Sequence, residues 1–269
     1  MTKARFLIPF IVAAATLAAS PARAGGWGPY FSWSRDMPTT GFPEWVVETL
    51  DSSLQSALRG SELKFEQSHI SFGVIYDSAP SRDKLFNFRM TLGVDFVIDG
   101  NIDQLSLVST GDPPTDSSVR EYADVVLGNL LDTTGYGGTL KFTFGFSPIR
   151  TPLLKWWLGP CIHINGNYRN ADIPIAPIPI LLPQGAHLKH GGSVAIGGGI
   201  ETGVNIHATS FMSVGLSFGF LWNAYGLGAG LEDRSGEISS GAIVWGDGPM
   251  FLLQVSALFH TGSDRGIWR

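Results

Sequence analysis

One stretch restricts this chain more than any other: Gly192 to Trp222, GSVAIGGGIETGVNIHATSFMSVGLSFGFLW. Every second residue from Val194 is Val194, Ile196, Gly198, Ile200, Thr202, Val204 and Ile206. Between them stand Ala195, Gly197, Gly199, Glu201, Gly203 and Asn205. Past His207-Ala208-Thr209 the alternation resumes, with Met212, Val214, Leu216, Phe218, Phe220 and Trp222 against Ser213, Gly215, Ser217 and Gly219. A period of two predicts strands, and so short a break predicts a hairpin. Strands of soluble domains usually run about five or six residues. Longer ones, greasy on one face and small or polar on the other, predict the wall of a transmembrane barrel.

The start of the chain fits export. Lys3 and Arg5 precede an apolar run from Phe6 to Ala19, and Ala22-Arg23-Ala24 offers a cleavage site. This predicts a secretory signal peptide over 1–24, too short to span a membrane as a helix. A barrel domain is then expected over 25–260 and a tail over 261–269. Loss of Lys3, Arg5 and Arg23 takes the formal net charge from −5 to −8, which argues against a nucleic-acid partner. No other stretch holds eighteen unbroken apolar residues, so no spanning helix is expected. Charged residues make up only 15% of the chain, which is low for a soluble domain. The single Cys161 rules out an intrachain disulfide.

Eight strands are expected: 26–35, 63–76, 85–98, 139–146, 154–167, the two strands of the hairpin, and 249–260. In 85–98, Phe86, Phe88, Met90, Leu92, Val94, Phe96 and Ile98 share the outer face, while Asn87, Arg89, Thr91, Gly93 and Asp95 share the inner one. Amphipathic helices are expected over 43–59, closed by Gly60, and over 117–131, with Val119, Tyr122, Val126 and Leu130 aligned. They are caps on long loops or helices in the headgroup layer; if the first strand is misread, 43–59 becomes a periplasmic clamp. Asp99-Gly100-Asn101 reads as a turn leading into a further short strand, 102–108. Tyr168–Gly191 reads as a loop, because prolines 174, 177, 179 and 183 cannot donate to a ladder, and 223–248 reads as a glycine-rich loop. Connections alternate long and short, and strand parity agrees if the short turns and both termini face the periplasm. Phe86, Trp156, Phe211 and Phe259 would form one aromatic girdle, and Phe96, Tyr136 and Trp222 the other.

In strand pattern and loop alternation, residues 26–260 resemble the small eight-stranded outer-membrane barrels of the OmpA, OmpX and OmpW kind. The resemblance implies an all-β, antiparallel barrel in the outer membrane of a Gram-negative bacterium. Its partners would be outer-membrane lipid and the barrel-assembly machinery, which reads a terminal aromatic. Phe251, Leu253, Val255, Ala257 and Phe259 look like that closing strand. Ten residues follow Phe259, so either Phe259 or Trp268 would be the aromatic that is read.

The inner face carries Arg89, Asp95, Lys141, Lys155, His163 and Glu201. An eight-stranded lumen is just wide enough for its own side chains, so these are expected to pair across it and plug it; the alternative is a narrow polar pore. Cys161 and His163 share this face, with His69 as a third candidate, but zinc takes four positions. No metal or cofactor is expected. His187 and His190 lie near Ser193, with His190 on the wrong parity for a nucleophile and its base. No catalytic residue is assigned, and a lipid-modifying enzyme ranks behind a binding barrel and a conduit for small or apolar solutes. The apolar residues of the proline-rich loop, Ile173, Ile175, Ile178, Ile180, Leu181 and Leu182, suggest a recognition surface for a protein partner or the outer leaflet.

Overall fold

The computed structural model describes residues 25–42, 55, 58–79, 84–106, 108, 113–177, 184–232 and 238–261. Its strands are β1 (Gly25–Asp36), β2 (Thr39–Gly41), β3 (Glu62–Asp77), β4 (Phe86–Ser106), β5 (Gly135–Arg150), β6 (Leu154–Ile175), β7 (Ala186–His207), β8 (Met212–Glu232) and β9 (Ile238–Thr261). Each pairs antiparallel with its neighbours, and β1 closes on β9. Both β1 and β2 lie between β3 and β9, so they fill one place in the wall. The break between them is Met37-Pro38. Proline has no N–H to give a ladder, but the Met37 N–H donates to the Pro249 carbonyl and the Pro38 carbonyl accepts from the Phe65 N–H. The result is a closed, all-β ring of eight wall positions.

Closure is what a membrane demands. Hydrocarbon offers no partner to an open sheet edge, so strands can cross only as a ring. Among the described residues no helix is long and apolar enough to cross a membrane; the strands do the crossing. Side-chain parity follows the sequence pattern. Ile200 is 63% exposed, and Val194, Ile196, Leu216, Phe218, Phe220 and Trp222 are also exposed. Their neighbours Ala195, Glu201, Asn205, Ser213 and Ser217 are buried inside the ring. Phe86, Phe211 and Phe259 are exposed at the short-turn end of the belt, and Phe96, Tyr136, Tyr168, Trp222 and Trp245 at the other. Trp156 is half-buried, its indole N–H donating to the Thr202 hydroxyl at 2.9 Å.

Several strands outrun the sequence reading. β4 continues straight through Asp99-Gly100-Asn101, paired with β3 across two register shifts, so no hairpin turn forms there. β6 and β7 stay paired to Ile175 and Ala186, with Pro174 opposite His187. β8 and β9 run to Glu232 and from Ile238, inside the expected glycine-rich loop. About ten residues suffice to cross the bilayer. Strands of 21 to 24 residues therefore carry the wall well past it. Beyond the belt their exposed residues turn polar, as at Asn101, Asp103, Asn170 and Asp172.

Between β4 and β5, α1 (Pro113–Tyr122), a π-helical turn (Ala123–Leu127) and α2 (Gly128–Asp132) follow one another, in the place of the expected 117–131 helix. Most of the expected 43–59 helix lies outside the described residues. At its end the Arg59 N–H donates to the Gln55 carbonyl, and Gly60 takes a φ of +81°, the left-handed conformation that favours glycine at a helix end. The expected signal peptide, and Trp268 in the tail, also lie outside the described residues.

The parity has a mutational consequence. Ile200→Arg places a charge in the middle of the lipid-facing belt and should cost about 2–4 kcal/mol. Urea titration of the barrel refolded in liposomes measures it; a cost equal to that of Ile200→Ala would refute the lipid-facing assignment.

Candidate functional site: the filled lumen

All six inner-face residues named from the sequence point into the lumen: Arg89, Asp95, Lys141, Lys155, His163 and Glu201, each 5% exposed or less. They fall into tiers along the axis, because each strand contributes every second residue to the interior.

At the short-turn end, the Ser213 hydroxyl lies 2.7 Å from His207 Nδ1 and 2.7 Å from His260 Nε2. Above it, Asp77 accepts from Asn87 at 3.2 Å and from the Ala79 N–H at 2.9 Å, and pairs with Arg89 at 3.7 Å. Arg89 also donates to Asn205 at 3.3 Å and lies 4.1 Å above the Trp157 ring. A cation over an indole face is a favourable contact in a dry site. Trp157 is fully buried, and the wall makes room for it: a Cβ on Gly203 would sit 2.7 Å from its ring. The Lys155 ammonium donates to the Ala79 carbonyl.

In the next tier Lys141 pairs with Glu201 at 2.7 Å and donates to Gln254 at 2.9 Å. Glu201 also accepts from Thr143 at 2.6 Å and Ser217 at 2.7 Å. These bonds offset the large cost of burying the carboxylate. Above that, Asp95 accepts from Asn165 at 2.8 Å, from Ser71, and from the Nδ1 of His69 at 2.8 Å. The other side of His69 faces Asp36 at 3.2 Å. His163 lies 2.9 Å from the Thr139 hydroxyl. Between these tiers, among Tyr30, Ser71, Thr91, Lys141, His163 and Gln254, a void of about 10 Å³ remains. That is about one water molecule.

Past Asp95 the lumen changes character. Its inward residues become Leu63, Phe65, Ala195, Tyr225, Leu227, Leu231 and Val244. Val126, Leu127, Leu130 and Leu131, from the π turn and α2, pack among them and are wholly buried. A Cβ on Gly191 would lie 2.1 Å from Leu130, so the wall is thinned where the helix enters. Arg169, also wholly buried, donates through Nη1 to the carbonyls of Leu130, Leu131 and Thr133. It satisfies the orphan carbonyls at the end of α2 and carries the charge that suits that end.

The other candidates separate. Cys161 packs with Leu221, Met250 and Leu252, apart from any set of metal ligands. Among the described residues no three His, Cys, Asp or Glu side chains could hold a metal ion. His187 faces Asp172 at 3.4 Å, His190 stacks on Tyr168, and Ser193 is buried on the inner face. The structure therefore does not assemble those histidines and Ser193 into a dyad. Outside the belt, hydrogen bonding from Lys189 holds the Asp172 carboxyl below its ordinary range, and hydrogen bonds to Asp172 and Glu232 hold Lys189 above its own. Ile173 is half-buried and Ile175 is buried in the apolar tier; Ile178, Ile180, Leu181 and Leu182 lie outside the described residues.

The sequence reading left out Asp36, Asp77, Arg169 and Gln254. One further step of the same alternation finds each: Ser34 to Asp36, Ile75 to Asp77, Asn167 to Arg169, and the position between Leu253 and Val255. The helical plug shows in the sequence only as the apolar stripe of Val119, Val126 and Leu130, which does not say that it enters the lumen.

No protein-family model matches the chain, and no curated protein matches it in sequence. Its architecture is similar to solved outer-membrane barrels. Outer membrane protein OprG from Pseudomonas aeruginosa shares 8% identity with a TM-score of 0.43, over 90% of this chain and 98% of that one. A major outer membrane protein from Thermus thermophilus shares 14% with a TM-score of 0.39, over 87% and 99%. Outer membrane protease OmpT from Escherichia coli shares 8% with a TM-score of 0.33, over 88% and 95%. The closed ring with its apolar belt has the form of a transmembrane β-barrel; its function is argued from the lumen.

Removing one partner of a buried pair leaves an uncompensated charge. Lys141→Ala should therefore destabilise the barrel by roughly 3–5 kcal/mol. Lys141→Met with Glu201→Leu should recover most of that loss. Urea unfolding of the three proteins measures both, and equal stabilities for the single and double variants would show that the pair is not coupled.

Proposed function

We propose that this protein is a non-conducting, non-enzymatic outer-membrane barrel of a Gram-negative bacterium, serving as a structural or binding element through the wall and loops it raises outside the cell. One observation carries the reading: among the described residues, side chains stand across the lumen in both its polar and its apolar part. Paired ionic tiers cross the polar part, where the void beside Lys141 and His163 holds about 10 Å³, and the π turn and α2 pack into the apolar part. A conduit for small or apolar solutes needs a continuous path, and the Lys141–Glu201 and Asp95–His69 tiers stand across it.

The orientation proposed with this function places both termini and the short turns in the periplasm. It is supported by the contrast between the turn at 208–211 and the strand extensions at the opposite end. On this reading β9, with Phe259 at its end, is the segment offered to the assembly machinery. The loop carrying Ile178, Ile180, Leu181 and Leu182 is the surface offered to a protein partner.

Two measurements test this. In planar bilayers the purified barrel should give no single-channel steps, and well-resolved steps from the unmodified protein would establish a pore instead. In intact cells a membrane-impermeant maleimide should label Gln184→Cys and should reach Ala208→Cys only after the outer membrane is permeabilised. Both positions are exposed, and the native Cys161 is buried. The reverse labelling pattern would invert the orientation.

A further inference from the structure

A recess in the wall is left unexplained by the lumen. It lies on the short-turn half of β4, β5 and β6, holds about 440 Å³, and is lined by Phe86, Phe144, Phe146, Leu158 and Pro160, with Gly145 and Gly159 at its floor. The volume falls within the range of ligand pockets, about 300–1,000 Å³. Its cause is local. Pro160 has no N–H, and the β5–β6 ladder pairs Thr143 with Cys161 and then Phe146 with Leu158. A Cβ on Gly159 would stand 1.8 Å from the Phe144 carbonyl, so the floor has no room for a side chain there. Phe86 is 68% exposed and Phe144 54%, so their rings stand up as walls on either side of a floor without side chains.

The edge of the recess toward the turns is cationic. Lys84 precedes Phe86 by two residues, Arg150 follows Phe146 by four, and both are exposed. Phe86 pairs with Phe146 and the Ser147 N–H donates to the Leu85 carbonyl, so Lys84 and Arg150 lie beyond the recess at the ends of neighbouring strands. Lipid tails cover the whole belt, but this apolar recess also has two exposed cations, Lys84 and Arg150, on its turn side. We propose that this recess is a binding site for one anionic phospholipid of the leaflet at the short-turn end. An acyl chain lies between Phe86, Phe144 and Leu158, and the phosphate meets Lys84 and Arg150. The orientation proposed above decides only which leaflet supplies the lipid; binding in detergent is read without it.

The test is native mass spectrometry of the barrel in dodecyl maltoside, equilibrated with equal amounts of phosphatidylglycerol and phosphatidylcholine of identical chains. The unmodified protein should retain one phosphatidylglycerol in preference to phosphatidylcholine. Lys84→Glu with Arg150→Glu should lower that preference by at least about fivefold for each charge lost. Leu158→Trp, which fills the slot from its outer side, should lose the bound lipid. The heat-modifiable band on gels confirms folding of each variant, and where Leu158→Trp does not fold, the charge reversal alone decides. An unmodified barrel without preference, a folded variant that keeps it, or retention of added lipid A in place of phosphatidylglycerol would each overturn the proposal.

Discussion

Everything in this structure depends on the absence of water around the middle of the wall. A backbone N–H or C=O left open there has no partner, so the sheet must close. Closure at eight positions fixes a lumen that side chains can fill and little else can enter. The seam shows how strictly the rule is kept. β1 is the shortest full wall strand, and the chain breaks at Met37-Pro38, where proline removes a donor. The ladder is nevertheless carried on by the Met37 and Phe65 amides and then by β2. A seam left open at that point would expose the edges of β3 and β9.

The closed lumen is filled in two ways, and each creates its own requirement. In the part near the short turns the inner residues are polar, and the requirement is that every charge find a partner. Glu201 meets it with Lys141, Thr143 and Ser217, and Asp95 with His69, Ser71 and Asn165. Toward the other end the inner residues are apolar, and the requirement is volume, since unfilled apolar space loses packing contacts. The chain meets that by folding Val126, Leu127, Leu130 and Leu131 inward. A helix end brought into an apolar chamber carries unsatisfied carbonyls with it. Arg169 answers that need, which explains why an arginine lies wholly buried among leucines.

This division also explains what could be read from the sequence. Parity is a local property: once Ile200 is known to face lipid, Glu201 must face the lumen. Five inner charges, Arg89, Asp95, Lys141, Lys155 and Glu201, and both aromatic girdles were therefore legible. The pairing of those charges was not, because Lys141 and Glu201 are joined only by the barrel's register. Strand length beyond the membrane was misread for a different reason. The expectation of loops at 168–191 and 223–248 assumed that a strand ends when its outer face stops being greasy. Outside the bilayer that face meets water, so polar outward residues are what a continuing strand should carry, and the inner face of β8 instead becomes Tyr225, Leu227, Ala229 and Leu231. The apolar side of the alternation changes from the outer face to the inner face at the membrane boundary.

That change of side alters the meaning of the proline-rich segment. Six apolar residues in a water-exposed loop would need an external partner to cover them. Ile173 and Ile175, however, belong to β6 after it has left the bilayer, and their partners are those of the apolar tier. Pro174 between them faces outward, opposite His187, just past the register shift that separates Asn170 from Ile173. A proline one residue from the end of a ladder costs little, because few hydrogen bonds remain to be lost there. Around it the outer surface is charged, with Lys189 between Asp172 and Glu232. Such exposed pairs add little stability, but they keep the extended wall soluble without a covering partner. The physical case for an external partner therefore rests on Ile178, Ile180, Leu181 and Leu182, outside the described residues, since the paired ends of β6 and β7 that flank them in sequence already pack into their own core.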